Sequence, residues 1–425
     1  MATLARGGGA ATMRPTFDRA LKTLQRSRAA ALDPSGRYDY LREEVAERLA
    51  DRLPDMKRSF RRVLDVGAHA GQLAPALVAS HGSIEELTLC DSSAAALHRD
   101  TEALARRLER AAAERGGGGE APRVSRVVCD EEDFLRGTGV EEGNLDAVVS
   151  SLSMHWVNDL PGLMVQIRKA LRPDGLFLGA MLGGDTLHEL RVSLQLAEQD
   201  CDGGVSQRVS PFVGVEDAGS LLSRGGFRLL TVDTDHITIP YPSAKELMQD
   251  LGRMGEGNAA TLRSLGPLPR RTLQKACQNY DELFGDEVDG KRIVPATFQV
   301  IYMIGWAPDD SQVAPLARGS AKVGLQDALK EERQSLGAEI LDGAANPFAD
   351  KARPEVFSLS DLAADSGSAV QVTELIDEAR PQDAHEEAHQ GKPYGAGGAD
   401  GGGGGGWMPR PAESMPERFA PPKPK

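Results

Sequence analysis

The stretch Asp65-Val66-Gly67-Ala68-His69-Ala70-Gly71 sets a carboxylate two residues before a glycine turn, directly after the apolar pair Val63-Leu64. Glycines between a strand and a helix let backbone approach a ligand closely. The helix N-terminus that follows favours a negative group. The spacing excludes two common ligands. A dinucleotide fingerprint needs glycines where this chain has Gly67, His69 and Gln72, so two of three positions fail. A phosphate-binding loop needs a Gly-Lys-Ser/Thr ending, which is absent. His69 has two readings. Its side chain turns away from the ligand, or its Cβ faces the ligand and weakens binding.

Three further points along the chain carry chemistry in the same order. Asp91 closes the run LTLCDSS, Asp130 closes VVCDEEDF, and Ser150-Ser151 close an apolar run that begins at Asp146. All fall at the C-terminal ends of expected strands, where open α/β sheets bind ligands. A carboxylate at Asp91 can accept both hydroxyls of a ribose. The competing role for each Asp is a helix cap or turn former.

These positions need a sheet to hold them. Strands are expected at 62–66, 86–90, 124–129, 146–151 and 176–181, separated by helices at 72–80, 94–115 and 160–171. Strands alternating with helices imply βαβ units and a mostly parallel sheet. Arg172-Pro173-Asp174-Gly175 reads as a turn in which Gly supplies a positive φ. Two helices precede the sheet, at 17–31 with an apolar stripe of Phe17, Leu21 and Leu24, and at 38–53. Downstream come helices at 187–198, 216–223 (closed by Gly225-Gly226) and 244–254, and strand-like runs at 227–234, 236–241 and 297–306.

Composition narrows the partners. The 425 residues carry a net charge of -14, which argues against phosphate-backbone binding, so no nucleic-acid partner is expected. The four cysteines form no C-x-x-C pair and suggest reduced thiols. No apolar run is long enough to span a membrane. Residues 1–16 are basic and acid-poor, a leader or transit remnant. Residues 331–425 read as a low-complexity, mostly disordered tail. Within it, His385-Glu386-Glu387-Ala388-His389 matches a zinc-protease signature without the helix and third ligand that motif needs, so no metal site is expected.

The acid and glycine turn resembles the first motif of Rossmann-like S-adenosylmethionine methyltransferases. The longer runs SSLSMHWVNDLPGLMVQIRKALRPDG, LGAMLGGDTLHELRVSLQLAE, SPFVGVEDAGSLLSRGGF and VPATFQVIYMIGWAP resemble mitochondrial assembly factors of respiratory complex I, within the malonyl-carrier-protein methyltransferase-like branch. The resemblance implies a class I methyltransferase fold over residues 17–330, a seven-stranded mostly parallel sheet with lid segments at about 185–215 and 243–290. It implies S-adenosylmethionine held by Asp65, Gly67, Gly71, Asp91, Asp130 and Ser151. It further implies arginine hydroxylation on an iron–sulfur subunit of complex I, at the matrix face of the inner membrane, with peripheral membrane association. His155, Trp156 and Asp185 are the candidate catalytic residues, Trp156 stacking on a guanidinium and Asp159 or Asp185 pairing with it. Packing of Trp156 under the helix from Leu160, and capping by Asp159 and Asp185, are the alternatives. Two other functions stay open, a non-catalytic assembly chaperone and an O-methyltransferase acting on a carrier protein or small acid.

Overall fold

The computed structural model describes residues 14–54, 56–114, 120–288 and 290–313. The leader before residue 14, the glycine insertion at 116–119 and the tail with its His385–His389 motif lie outside the described residues. Two helices open the fold, α1 (Arg19–Leu32) and α2 (Tyr40–Ala50). Then come β1 (Arg62–Val66), α3 (Leu73–Ser80), β2 (Glu86–Asp91), α4 (Ala94–His98), α5 (Thr101–Glu114) and β3 (Arg123–Val128). They are followed by α6 (Phe134–Thr138), β4 (Leu145–Ser151), α7 (Leu160–Ala170) and β5 (Leu171–Leu182). The last part is α8 (His188–Asp202), α9 (Val215–Arg224), β6 (Arg228–Tyr241), α10 (Ala244–Met254), α11 (Arg270–Phe284), β7 (Asp286–Val288) and β8 (Lys291–Trp306).

Seven strands line up in the order β3-β2-β1-β4-β5-β8-β6, and the three-residue β7 adds a hairpin to β8. Pairing is parallel from β3 to β5, and β8 runs antiparallel to both its neighbours. The expected sheet thus forms, with β7 as an extra strand. The pleat sorts each strand's side chains between two cores. Leu64, Val66 and Val148 face α7 and α9, whereas Val63, Ala147 and Val149 face α2, α3 and α5. The turn that follows Val66 reverses at the point where the strand order departs from β1 toward both β2 and β4, the place open α/β sheets keep for ligands.

Several boundaries differ from the pattern in the sequence. The expected helix at 94–115 is two, and α4 starts where Ser93 caps the Ala96 N–H. The runs at 227–234 and 236–241 form one strand, β6, and β8 begins at Lys291. The turn at Arg172–Gly175 sits inside β5 as an irregularity. Pairing jumps from Leu145↔Leu171 to Ala147↔Leu176, and the positive φ falls on Asp174 (59°) rather than Gly175. Gly225-Gly226 closes α9 as expected, with φ 82° at Gly226. Helix α11 has no counterpart in the apolar pattern, because its buried face includes Thr272 and Asn279. Thr272 donates to Asp202, and Asn279 faces the Ser193 carbonyl of α8.

Candidate functional site

Asp65 is the penultimate residue of β1, fully enclosed, and neither carboxylate oxygen has a hydrogen-bond partner. Burial first, and then the charge of Asp91, push its carboxyl up to about 8. Gly67 (φ 75°) and Gly71 (φ 83°) take the left-handed conformation that glycine adopts without strain. A Cβ on Gly67 would collide with Ser153 Oγ, and one on Gly71 would press into Leu104 of α5. Gly67 therefore keeps the ligand side clear, whereas Gly71 serves helix packing.

The amides of this turn are turned inward. Gly67 and Ala68 N–H donate to Cys90 O, His69 N–H to Asp91 Oδ2, Ala70 N–H to Gln72 Oε1, and Gly71 N–H to Ala68 O. His69 itself has φ 50° and lines a cavity of about 10 Å³ together with Arg42, Asp65, Gly67, Gln72 and Ser151. It is buried there, and its Nε2 has no hydrogen-bond partner. Burial, with Arg42 and Arg26 adding to it, holds its imidazole well below the ordinary value. Ser151 Oγ is buried without a partner, and Ser150 Oγ donates to Val66 O at 2.7 Å.

Asp91, fully buried at the end of β2, accepts from the backbone of Ser93 (2.8 Å) and His69 (3.1 Å). Its Oδ2 also meets Arg26 Nη1 at 3.3 Å. Arg26 comes from α1 and is itself enclosed. It reaches Glu131 Oε1 at 2.5 Å and Ser153 Oγ at 2.9 Å. Glu131 therefore takes most of this cation. Burial raises Glu131, but Arg26 and Arg19 outweigh it and hold the carboxyl at about 2. The more distant Asp91 stays raised by burial despite Arg26. Asp130 is turned outward, its carboxylate half exposed, capping Glu132 N–H and pairing with Arg19 at 2.8 Å. The buried acid at the end of β3 is Glu131.

Trp156 ends a short 3-10 turn after β4 and is enclosed. It does not pack under α7. It meets Phe17 edge-on (centroids 5.3 Å, 75°), and its Nε1–H donates to Glu256 Oε2 at 2.8 Å. Lys22 Nζ stands 3.3 Å from the indole centroid and donates to the carbonyls of Gly255 (3.0 Å) and Gly257 (2.7 Å). Glu256 Oε1 also accepts from Arg42 Nη2 at 2.5 Å. His155 Nε2 lies 3.6 Å from Glu256, and burial first of all lowers its imidazole. Asp159 caps α7 through Gly162 N–H at 2.8 Å, with Pro161 in the first turn. Asp185 is exposed, its carboxylate accepting from Gln299 at 3.1 Å with His236 3.9 Å away. Its side chain does not cap α8, whose N-cap is Leu187.

The cleft thus brings together Asp65, Gly67, Asp91 and Ser151, with His155 and Trp156 beside it, and leaves Asp130 and Asp185 at the exterior. Lys22, Arg26, Arg42, Glu131 and Glu256 are functional candidates that the sequence pattern passed over. One signal was available. Lys22 and Arg26 stand four residues apart on one face of an otherwise amphipathic helix.

A strand-turn-helix site with an orphaned acid in a sheet of this order is the architecture of a methyltransferase domain, and the family described as "Methyltransferase domain" matches residues 38–253. Within it, the chain belongs to the family of proteins named "Arginine-hydroxylase NDUFAF5, mitochondrial". It is 45% identical to the Danio rerio member over 315 residues, covering 74% of this chain and 89% of that protein. It is 46% identical to the Homo sapiens member over 307 residues, covering 72% and 81%. A more distant relative is a malonyl-[acyl-carrier protein] O-methyltransferase of Laribacter hongkongensis, 33% identical over 298 residues, covering 70% and 89%.

Proposed function

We propose that this chain is a mitochondrial assembly factor of respiratory complex I that hydroxylates an arginine of an iron–sulfur subunit. It works at the matrix face of the inner membrane, associated peripherally. The observation that carries the reading is the 45–46% identity to proteins named arginine-hydroxylase, over a length that includes both lid segments. Among the described residues no helix is long and apolar enough to cross a membrane.

The cleft's donor set suits S-adenosylmethionine. Asp65 offers two buried carboxylate oxygens without a partner, matched to the ligand's ammonium. Asp91 is placed to take the ribose hydroxyls once Arg26 yields. Gly67 and Ser151 would border the ligand, Gly71 would hold the turn against α5, and Glu131 rather than Asp130 would be the enclosed acid of the third strand. When bound, this group supplies an activated methyl on a sulfonium. The cavity of about 10 Å³ holds roughly one water, so ligand entry requires side chains that line it, Arg42 and His69 among them, to move.

Among the described residues no three His, Cys, Asp or Glu side chains converge as metal ligands. We assign the residues named here to binding and positioning. His155 and Trp156 border the client side, and Asp185 lies at its outer rim. The closed cleft favours a second reading, a non-catalytic chaperone. The third, an O-methyltransferase, is favoured by the 33% relative.

Mass spectrometry of complex I from cells lacking the protein, and from the same cells re-expressing it, tests the proposal. Re-expression is expected to restore a one-oxygen mass gain on an arginine of an iron–sulfur subunit. Restored assembly with no such gain would support the chaperone, and a methyl gain the methyltransferase.

A further inference from the structure

A second cavity of about 270 Å³ lies between α8, α10 and the loop at 205–212. It falls below the roughly 300–1,000 Å³ of drug-sized sites and suits a single side chain. Leu190, Leu194, Phe212, Met248 and Leu251 give it apolar walls. Two of its lining residues are Trp156 and Glu256, an indole and a carboxylate. An apolar sleeve with those two groups matches an alkyl chain that ends in a planar cation.

The protein already places a cation in this corner. Lys22 stands over the Trp156 ring and donates to the carbonyls of Gly255 and Gly257. Burial outweighs the pull of Glu256 and brings the Lys22 ammonium down to about 7, with Arg26, Arg42 and Arg19 adding repulsion. Glu256 stays ionised, because His155, Arg42 and Lys22 together overcome its burial. A guanidinium does not shed its charge near neutral pH, so it outlasts Lys22 as the cation of this corner. The corner also adjoins the cofactor cleft. Arg42, which donates to Glu256, lines the small cavity with Asp65, Gly67 and His69. An acidic ligand fits less well, since the cavity's Arg208 is held by Glu198 at 2.7 Å.

We propose that this cavity receives the client's arginine side chain, with Trp156 as its stacking face and Glu256 as the residue that selects its charge. The inference rests on the reading that the modified residue is an arginine. Asp185, exposed and paired with Gln299, has no part in it.

The test is titration of the full chain with N-acetyl-arginine amide, its neutral citrulline analogue and malonate, followed by NMR of the Trp156 indole N–H. The signal is assigned by its loss in Trp156→Phe. The arginine amide is expected to shift this signal, and the citrulline analogue to bind about tenfold or more weakly. Glu256→Gln should reduce arginine binding to the citrulline level. Because that variant also disturbs Arg42, Met248→Trp fills the cavity from α10 and leaves the Glu256 network intact. It should abolish binding. Lys22→Met, which removes the internal cation, should tighten it. Equal binding of arginine and citrulline, or undiminished binding by Met248→Trp, would overturn the proposal. So would malonate binding that Arg208→Ala removes. The cellular mass measurement separates the two readings. Oxygen gain that persists unchanged with Met248→Trp overturns the cavity and leaves arginine hydroxylation standing. Arginine-selective binding without any oxygen gain does the reverse.

Discussion

Asp65 is an acid held in a place that penalises its charge, and replacing it with Asn should make the ligand-free protein more stable. In the unfolded chain its carboxyl ionises near 3.8, and in the folded chain near 8. Between those values the folded state binds more protons, so stability falls as pH rises. At about 1.4 kcal/mol for each pH unit, that gap is worth roughly 6 kcal/mol at most. Relaxation around the site and the buried amide of Asn reduce the gain, leaving about 2 kcal/mol at pH 8. For a domain of this size that is about 3 °C in Tm. The assay is thermal unfolding of the wild-type chain and Asp65→Asn from pH 5 to pH 9. Lys22, His69 and His155 also titrate differently in the folded state, each tending to raise stability with pH. Their contributions cancel in the difference between the two proteins. That difference should grow with pH up to about 8 and then level off. A variant that melts below the wild type at pH 8, or a difference independent of pH, would refute the reasoning.

Arg26→Met removes the cation between Asp91 and Glu131 and should cost about 3–5 kcal/mol, read by denaturant unfolding. Glu131 is held at about 2, so its stabilising share is present above 4.5 and lost as pH falls toward 2. In Arg26→Met the acid limb of the Tm profile should therefore flatten. Gly67→Ala should cost about 1–3 kcal/mol from its positive φ alone, with more from the collision with Ser153. Asp159→Ala should cost about 1 kcal/mol by uncapping α7, with no effect on ligand binding.

The legible part of the site is the part built from local pattern. Asp65, the glycine turn and Asp91 all lie at strand ends, and the alternation of strands and helices placed them on one edge of the sheet. The hidden part depends on contacts between distant segments. In α1 the stripe Phe17, Leu21 and Leu24 suggested the buried face, yet Leu24 is 64% exposed and the helix buries Lys22 and Arg26. Charged residues face inward there because the cleft offers them carboxylates, carbonyls and an indole. No periodicity of apolar residues reports that. Glu256 follows the stop of α10 at Gly255 and meets Trp156 across 100 positions of sequence. At the end of β3, the turn of the chain sends Asp130 outward and Glu131 in. Alternation within a strand does not extend through that turn. Asp185 is a candidate partner for a guanidinium by its place in the sequence, but Gln299 of β8 holds it at the exterior.

The most direct test of the account is calorimetric titration of the full chain with S-adenosylmethionine, beside Asp65→Asn. A cooperative melt in the assay above would show that this variant is folded, so that any loss of binding belongs to the site. The account predicts heat of binding in the wild type and its loss in the variant. A folded wild type that takes up no ligand, or a variant that binds equally well, would contradict the assignment of Asp65 and the cofactor cleft built around it.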